Sequence, residues 1–594
     1  MLYRIANKED IMNDSQYLDE NKEDSIIKKY QNRITYIYKK CKYYYNYNTS
    51  NIQNDILENY IPNDKDFSLF IIDFLNTQKS HLNNNINIIN DYNKNINVNT
   101  FEPINDINED ISIYQKKPNI NLVFIGNKGS GKSTTIGHLL YDTGNIDFNE
   151  FEKIKISAKN YISYSYRYAW IMDKFYHERT YRNTINASYN KFETDKYFFS
   201  IIDIPGKKKF IKNATKGIFE GDVAIIIVPV DKDFEKLFSE EESLKDHIII
   251  AYTMGIKQVI VAINKIDICH YSEKMCLKIK EKMKKFLNQI GFDNNNIQYI
   301  YYSGITGQNL VNRYETDSDK ENDVNFKNNV NKTPWYKGKT LLESLEELKE
   351  PKRLINKHLS FSVNKIEKIS GVGWILIGII KTGLLKKDTN IFFSWNKNIF
   401  KGKCISIEKF NNGIDVAIPG DIIGIKIHNI FTLNRFHFFR FNKINHFIIG
   451  NCIKDLPLQV KEFTSIIKVM NVPNSIKVGF SPILFCHMDH VAVEFKKILF
   501  KMDGRTNKIS DKNPKEIKNG ERAVVLLKPL LERTSRSSYF VKNYLKTFVC
   551  EKYSDNPYLG SFVINDNNKI IAVGKILEIN KEKIENEIII NDLK

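Results

Sequence analysis

Residues 126–133 read GNKGSGKS and fit the spacing G-x-x-x-x-G-K-[ST]. A loop of that pattern cradles phosphates with its backbone N–H groups. Gly126, Asn127, Lys128, Gly129, Ser130, Gly131 and Thr134 are the expected contacts, with Gly129 and Gly131 permitting close approach. Lys132 is expected to reach the β- and γ-phosphates, and the Ser133 hydroxyl to ligate Mg²⁺. A second motif, Asp203-Ile204-Pro205-Gly206, fits D-x-x-G. Asp203 would hold Mg²⁺ through water, and the Gly206 N–H would sense the γ-phosphate. A third, Asn264-Lys265-Ile266-Asp267, fits N-K-x-D. Its one carboxylate, Asp267, can accept both N–H groups of a guanine edge, a pair that adenine cannot donate. Ser303-Gly304 fits a last loop against the base. Each motif alone is weak, and D-x-x-G is more often an ordinary turn. Their order, each after an apolar run, points to GTP or GDP with Mg²⁺.

Those loops need strands to hold them. Short, largely apolar runs at 120–125, 197–202, 223–230, 259–263 and 297–302 alternate with helical stretches. This is the pattern of a parallel sheet covered on both faces. It predicts an α/β P-loop domain over 119–348 with a polar insertion at 312–333. After residue 350 the helical pattern gives way to β-rich runs punctuated by Gly and Pro. Two antiparallel β-barrels are expected there, at 350–438 and 439–580. Residues 1–117 differ again: an apolar repeat at helical spacing within 34–75 predicts a small helical patch, and the Asn-rich stretch 82–118 reads as a linker.

Composition narrows the partners. Lys and Arg total 88 against 70 Asp and Glu, a net +18 over 594 residues. That excess suits a polyanion, although a chain so rich in Asn, Lys, Ile and Tyr carries some of it through AT-rich coding. No apolar run reaches the length needed to span a bilayer, and the N-terminus lacks an apolar signal core, so the expected compartment is cytoplasmic, with no membrane partner. The seven cysteines form no C-x-x-C pair, which speaks against a zinc or disulfide framework. Cys486, His487 and His490 sit close in sequence but in a strand pattern, and His247 is read as a helix-surface or packing residue.

The stretches 121–147, 168–174 (YAWIMDK), 191–213, 251–267 and 479–495 resemble the elongation factor 1-alpha branch of the translational GTPases, and the similarity runs over about 119–580. The resemblance implies a GTP-hydrolysing domain with two β-barrels, acting on the ribosome and its rRNA rather than on DNA. Within the branch the chain is most similar to the Hbs-type rescue GTPases, which hold Pelota through the barrels. An elongation factor delivering tRNA, a release-factor GTPase, and a non-hydrolysing adaptor to RNA decay are the alternatives. Elongation members carry G-R-F-x-x-R-D in the last barrel; here residues 560–566 read GSFVIND, and both tRNA-holding arginines are absent.

Other departures bear on catalysis. Thr184 falls where the family threonine contacts Mg²⁺ and the γ-phosphate, but Arg182 replaces a glycine nearby. Lys207 stands at the family histidine that orients the attacking water. A protonated lysine offers donors and charge but no acceptor lone pair. Gly129 replaces an aspartate linked to a monovalent cation. Slow or differently triggered hydrolysis is the expectation.

Overall fold

The computed structural model describes residues 117–594 apart from 160–165, 232–233, 240, 315–330, 371, 396–397, 429–446, 453–454, 503–508, 532–547, 582–585 and 589–594. The expected helical patch, nearly all of the linker and most of the polar insertion lie outside those residues.

The first domain is built from strands β1 (Asn119–Ile125), β2 (Ser188–Glu193), β3 (Phe198–Asp203), β4 (Val223–Pro229), β5 (Gln258–Asn264) and β6 (Ile297–Tyr301). They form one sheet in the order β2-β3-β1-β4-β5-β6, with β2 antiparallel to β3 and the rest parallel. Side chains alternate between its two faces, so apolar runs must be covered on both. Val123, Ile125, Ile202 and Ile226 enter one core, with helices α5 (Ile211–Glu220), α6 (Leu244–Thr253) and α7 (Glu273–Ile290). Leu122, Phe124, Ile225 and Ile227 enter the other, with α1 (Lys132–Asp142), α2 (Phe148–Lys159) and α3 (Tyr166–Met172). A short helix, α4 (Tyr176–Tyr181), follows α3.

Two barrels follow. The first comprises β7 (Ser360–Ile369), β8 (Gly373–Thr382), β9 (Asn390–Trp395), β10 (Asn398–Lys409), β11 (Ile422–His428) and β12 (Phe447–Gly450). Its order is β9-β12-β7-β8-β11-β10, and β10 pairs back onto β9 to close six strands. The second comprises β13 (Val460–Val469), β14 (Ile483–Cys486), β15 (Asp489–Met502), β16 (Arg522–Pro529), β17 (Ser561–Asp566) and β18 (Lys569–Lys581). It runs β14-β17-β18-β13-β16-β15, closed by β14 against β15. Closure removes the free edges that open sheets leave exposed. An α/β domain followed by two antiparallel barrels is the architecture that the sequence pattern predicts.

The first domain meets the barrels in an apolar core that includes Ile379 and Ile448 of the first barrel and Met470, Phe485 and Val563 of the second, and buried polar groups lie beside it. Arg353 makes two 2.7 Å bonds to the Asp222 carboxylate and donates to Asn119 O at 2.8 Å. The Asn119 and Asn121 side chains donate to Gly420 O in the first barrel, at 3.1 and 2.8 Å. Lys381, buried on β8, donates to Phe219 O near the end of α5 and lies 4.1 Å from the Phe219 ring and 5.2 Å from Tyr558 of the second barrel. Beside it, buried Glu220 accepts from Tyr189 OH at 2.6 Å and from Asn364 at 3.2 Å. Burial pushes Glu220 up to about 7 and Lys381 down to about 8. Each charge resists being buried alone, so the two compensate one another across the junction.

Lys381→Met should therefore lower stability at pH 7 by roughly 3 kcal/mol, because Glu220 and Asp222 lose a buried cation. Lys387→Met, which removes a surface pair with Asp415, should change it by less than about 1 kcal/mol. Urea denaturation of both variants checks the contrast.

Candidate nucleotide-binding site

The four motifs gather at the carboxyl end of the sheet. The loop 126–133 joins β1 to α1, with Gly131 at the N-cap of α1 at φ 97°, in the left-handed region that glycine tolerates. Lys132 is buried, and its Nζ donates to Gly126 O at 2.8 Å and Asn127 O at 3.1 Å. Burial lowers its pKa, opposed by Asp203 and Asp173. The Asn127 side chain faces away from the loop: it donates to Leu237 O at 2.9 Å and accepts from Ser243 N and Leu244 N at 3.1 and 2.7 Å. It thereby pins the loop to the start of α6.

Ser133 donates to Asp203 Oδ2 at 2.5 Å and lies 3.4 Å from Thr184 Oγ1. Thr184 in turn donates to Asp173 Oδ1 at 3.1 Å. Asp203 Oδ1 is buried and has no hydrogen-bond partner among the described residues. Burial raises Asp173 to about 7, helped by Asp203 and Glu178, and raises Asp203 to about 6 against the pull of Lys132. Two hydroxyls and two carboxylates, one with an orphaned oxygen, fit a hard cation such as Mg²⁺ that keeps several waters. Among the described residues no group of three or more His, Cys, Asp or Glu is placed to hold a metal by itself. Phosphate oxygens and water would complete such a shell.

At the other end Asn264 donates to Ser130 O at 2.9 Å and accepts from Gly304 N at 2.8 Å. Asp267 accepts from Ser303 Oγ at 2.6 Å. Lys265, at φ 67°, pairs with Asp231 at 2.6 Å. His138 Nδ1 lies 3.0 Å from Gly304 O, and Thr135 Oγ1 lies 2.8 Å from Tyr302 OH, so α1 also braces the base loop. The D-x-x-G turn lies against the phosphate loop: a Cβ on Gly206 would sit 2.5 Å from Lys132 Nζ and 2.8 Å from Lys128 N. Lys207 follows on the rim beside Lys128. Lys128 and Gly129 are exposed, and Thr134 is half-buried.

Asp173 was not among the residues read from the motifs. A carboxylate directly after α3 sits at the negative end of a helix, where it is disfavoured, and that mismatch was the available signal. Glu178, in the first turn of α4, is also outside the motifs; its Oε1 accepts from Ile185 N at 2.9 Å and so shapes the segment that carries Thr184. Arg182 occupies φ 51°, a glycine-like conformation, and its guanidinium lies 4.9 Å from the Tyr166 ring. His247 is fully buried in the first turn of α6, and burial pulls its ring down to about 3. At the β14–β15 turn His487 Nε2 lies 2.8 Å from Val549 O. No helix of the described residues is long and apolar enough to cross a membrane.

Comparison with known proteins matches residues 117–351 to the elongation factor Tu GTP-binding domain and 462–577 to the elongation factor 1-alpha C-terminal domain. Elongation factor 1-alpha of Plasmodium falciparum (isolate K1 / Thailand) is 35% identical over 472 residues, spanning 79% of this chain and 97% of the relative. Elongation factor 1-alpha 2 of Euplotes crassus is 36% identical over 470 residues, again 79% and 97%. Among solved structures, the Ski7 GTPase-like domain of S. cerevisiae bound to GTP has the same fold, with a TM-score of 0.61 at 20% identity over 79% of this chain and 99% of that one.

The carboxylate pair makes stability depend on pH. Both carboxyls titrate above the usual aspartate range when folded, so the favourable contribution is complete below about pH 4 and is lost as pH rises through 6 to 7. Asp173→Asn should raise the melting temperature of the nucleotide-free chain at pH 8, by the equivalent of roughly 2 kcal/mol, and leave it unchanged at pH 4. Thermal scans across that range decide it.

Proposed function

The chain belongs to the elongation factor 1-alpha family of GTP-binding translation factors, and from that premise we propose that it rescues stalled ribosomes, carrying a Pelota-like protein on its barrels. The observation that carries the choice lies on β17. The two positions at which elongation members place arginines for tRNA hold Ser561 and Asn565, and both are buried. No cation is presented to a tRNA backbone there. The remaining net charge of +18 suits rRNA, and the working compartment is the cytosol.

Ser133, Thr184 and Asp203 would hold Mg²⁺, which would supply charge neutralisation at the phosphates, and Asp173 orients Thr184. The loop 126–133 would cradle the phosphates, Gly206 would meet the terminal one, and Asn264, Asp267, Ser303 and Gly304 would enclose guanine. Thr184 leads into β2, whose Tyr189 accepts from Asn364 of the first barrel at 3.4 Å, and Gly206 O accepts from Ser243 at the start of α6, which packs against β17 and β18; nucleotide state is thereby coupled to the surface that holds the partner. Lys207 at the histidine position supplies charge but does not orient water as a histidine would, so hydrolysis is slow or differently triggered.

The extent of identity with elongation factors favours a second reading, tRNA delivery. Affinity purification from ribosome-stalled cells should recover a Pelota-like protein and no aminoacyl-tRNA; retention of aminoacyl-tRNA in a GTP-dependent manner would favour the second reading instead. Single-turnover hydrolysis on ribosomes should run well below that of a histidine-bearing relative. An equal rate that Lys207→Ala leaves untouched would remove the proposed role of this residue.

A further inference from the structure

Two ammonium groups face one another at the mouth of the phosphate loop. Lys128 is the third residue of the loop, and Lys207 follows Gly206. The Gly206 backbone lies against Lys128 N, so the next residue, Lys207, leaves the chain beside Lys128, and Lys209 adds a third like charge. Lys208, the middle of the run, is engaged elsewhere, in a 3.2 Å pair with Asp246. Among the described residues neither Lys128 nor Lys207 is paired with a carboxylate. Burial, then the charges of Lys128 and Lys209, pulls the Lys207 amine below the usual lysine range.

The juxtaposition is imposed by the backbone. Gly206 abuts Lys132 Nζ and Lys128 N closely enough to exclude a Cβ. Gly206 O accepts from Ser243 Oγ at 2.9 Å, while Asn127 holds Ser243 N to the phosphate loop. Both lysines are thus delivered to the rim by segments bonded to each other. Like charges held together repel until an anion lies between them.

We infer that Lys128 and Lys207 form a cationic clamp on the terminal phosphate of a bound nucleoside triphosphate, selecting triphosphate over diphosphate by charge. This rests on the reading of the site as GTP-binding. A diphosphate leaves the two amines facing each other without the anion that would reconcile them. A triphosphate gains two charge-assisted contacts beyond that of Lys132. The clamp offers donors alone, so it holds the phosphoryl group without accepting a proton from water.

Titration of the full chain with fluorescent GDP and with a fluorescent non-hydrolysable GTP analogue tests this. Lys128→Ala and Lys207→Ala should each weaken the triphosphate about tenfold and shift GDP by less than about threefold, whereas Lys207→Arg should keep the wild-type ratio. Lys207→Glu should depress triphosphate binding further than Lys207→Ala. Parallel losses for both nucleotides, or a ratio unmoved by any variant, would overturn the clamp while leaving guanine-nucleotide binding intact. A wild-type chain that binds neither nucleotide would overturn the GTP reading itself, and the clamp with it.

Discussion

The Asn264 side chain donates to Ser130 O at 2.9 Å and accepts from Gly304 N at 2.8 Å, so one buried amide fixes the distance between the phosphate loop and the base loops. A nucleotide is a rigid ruler, and a site for it works only when its two ends are held at one separation. The amide can do this because β1 and β5 flank β4 in a parallel sheet, which brings their carboxyl ends to one edge. Apolar cover on both faces keeps that edge from shearing. The helices that provide the cover also brace the loops, α1 through His138 and Thr135 and α6 through Asn127.

Electrostatically the site is divided. Asp173 and Asp203 gather negative potential where a hydrated cation fits, and burial makes each reluctant to ionise without one. Beside the phosphate loop Lys128, Lys207 and Lys209 gather positive charge. Lys132 lies between, its amine already satisfied by two loop carbonyls. Neither half is comfortable alone, which is the arrangement expected of a site evolved around an anion with its counterion. The net charge of +18 is an average over the chain and says nothing of this division.

The same logic extends to the barrels. Arg353 with Asp222, and Lys381 near Glu220, place charges in buried junctions that apolar residues could have filled. Buried charges need their partners at fixed positions, because separating them leaves each unpaired in a low-dielectric interior. Tyr189 lies on β2, just beyond the segment bearing Thr184, and ends on Glu220 at the junction. A change at the phosphates therefore has a short covalent and hydrogen-bonded route to the barrels.

The octet GNKGSGKS, the tetrads DIPG and NKID, and the apolar runs before them were legible because their meaning is local. A strand needs only its own residues to declare itself, and a phosphate loop needs only its own glycines and lysine. The α/β domain and the two barrels followed from where those patterns change. Asp173 was not legible, because its role depends on Thr184 and Asp203, which reach it only in three dimensions. Nor was the meeting of Lys128 with Lys207, residues 79 positions apart, or the turning of the Asn127 side chain from phosphate to α6. Sequence alone determined which chemical groups the chain possesses and which strands present them. Tertiary structure decided which of those groups share a neighbourhood, because charge and hydrogen bonding act over a few ångströms of space and take no account of separation along the chain.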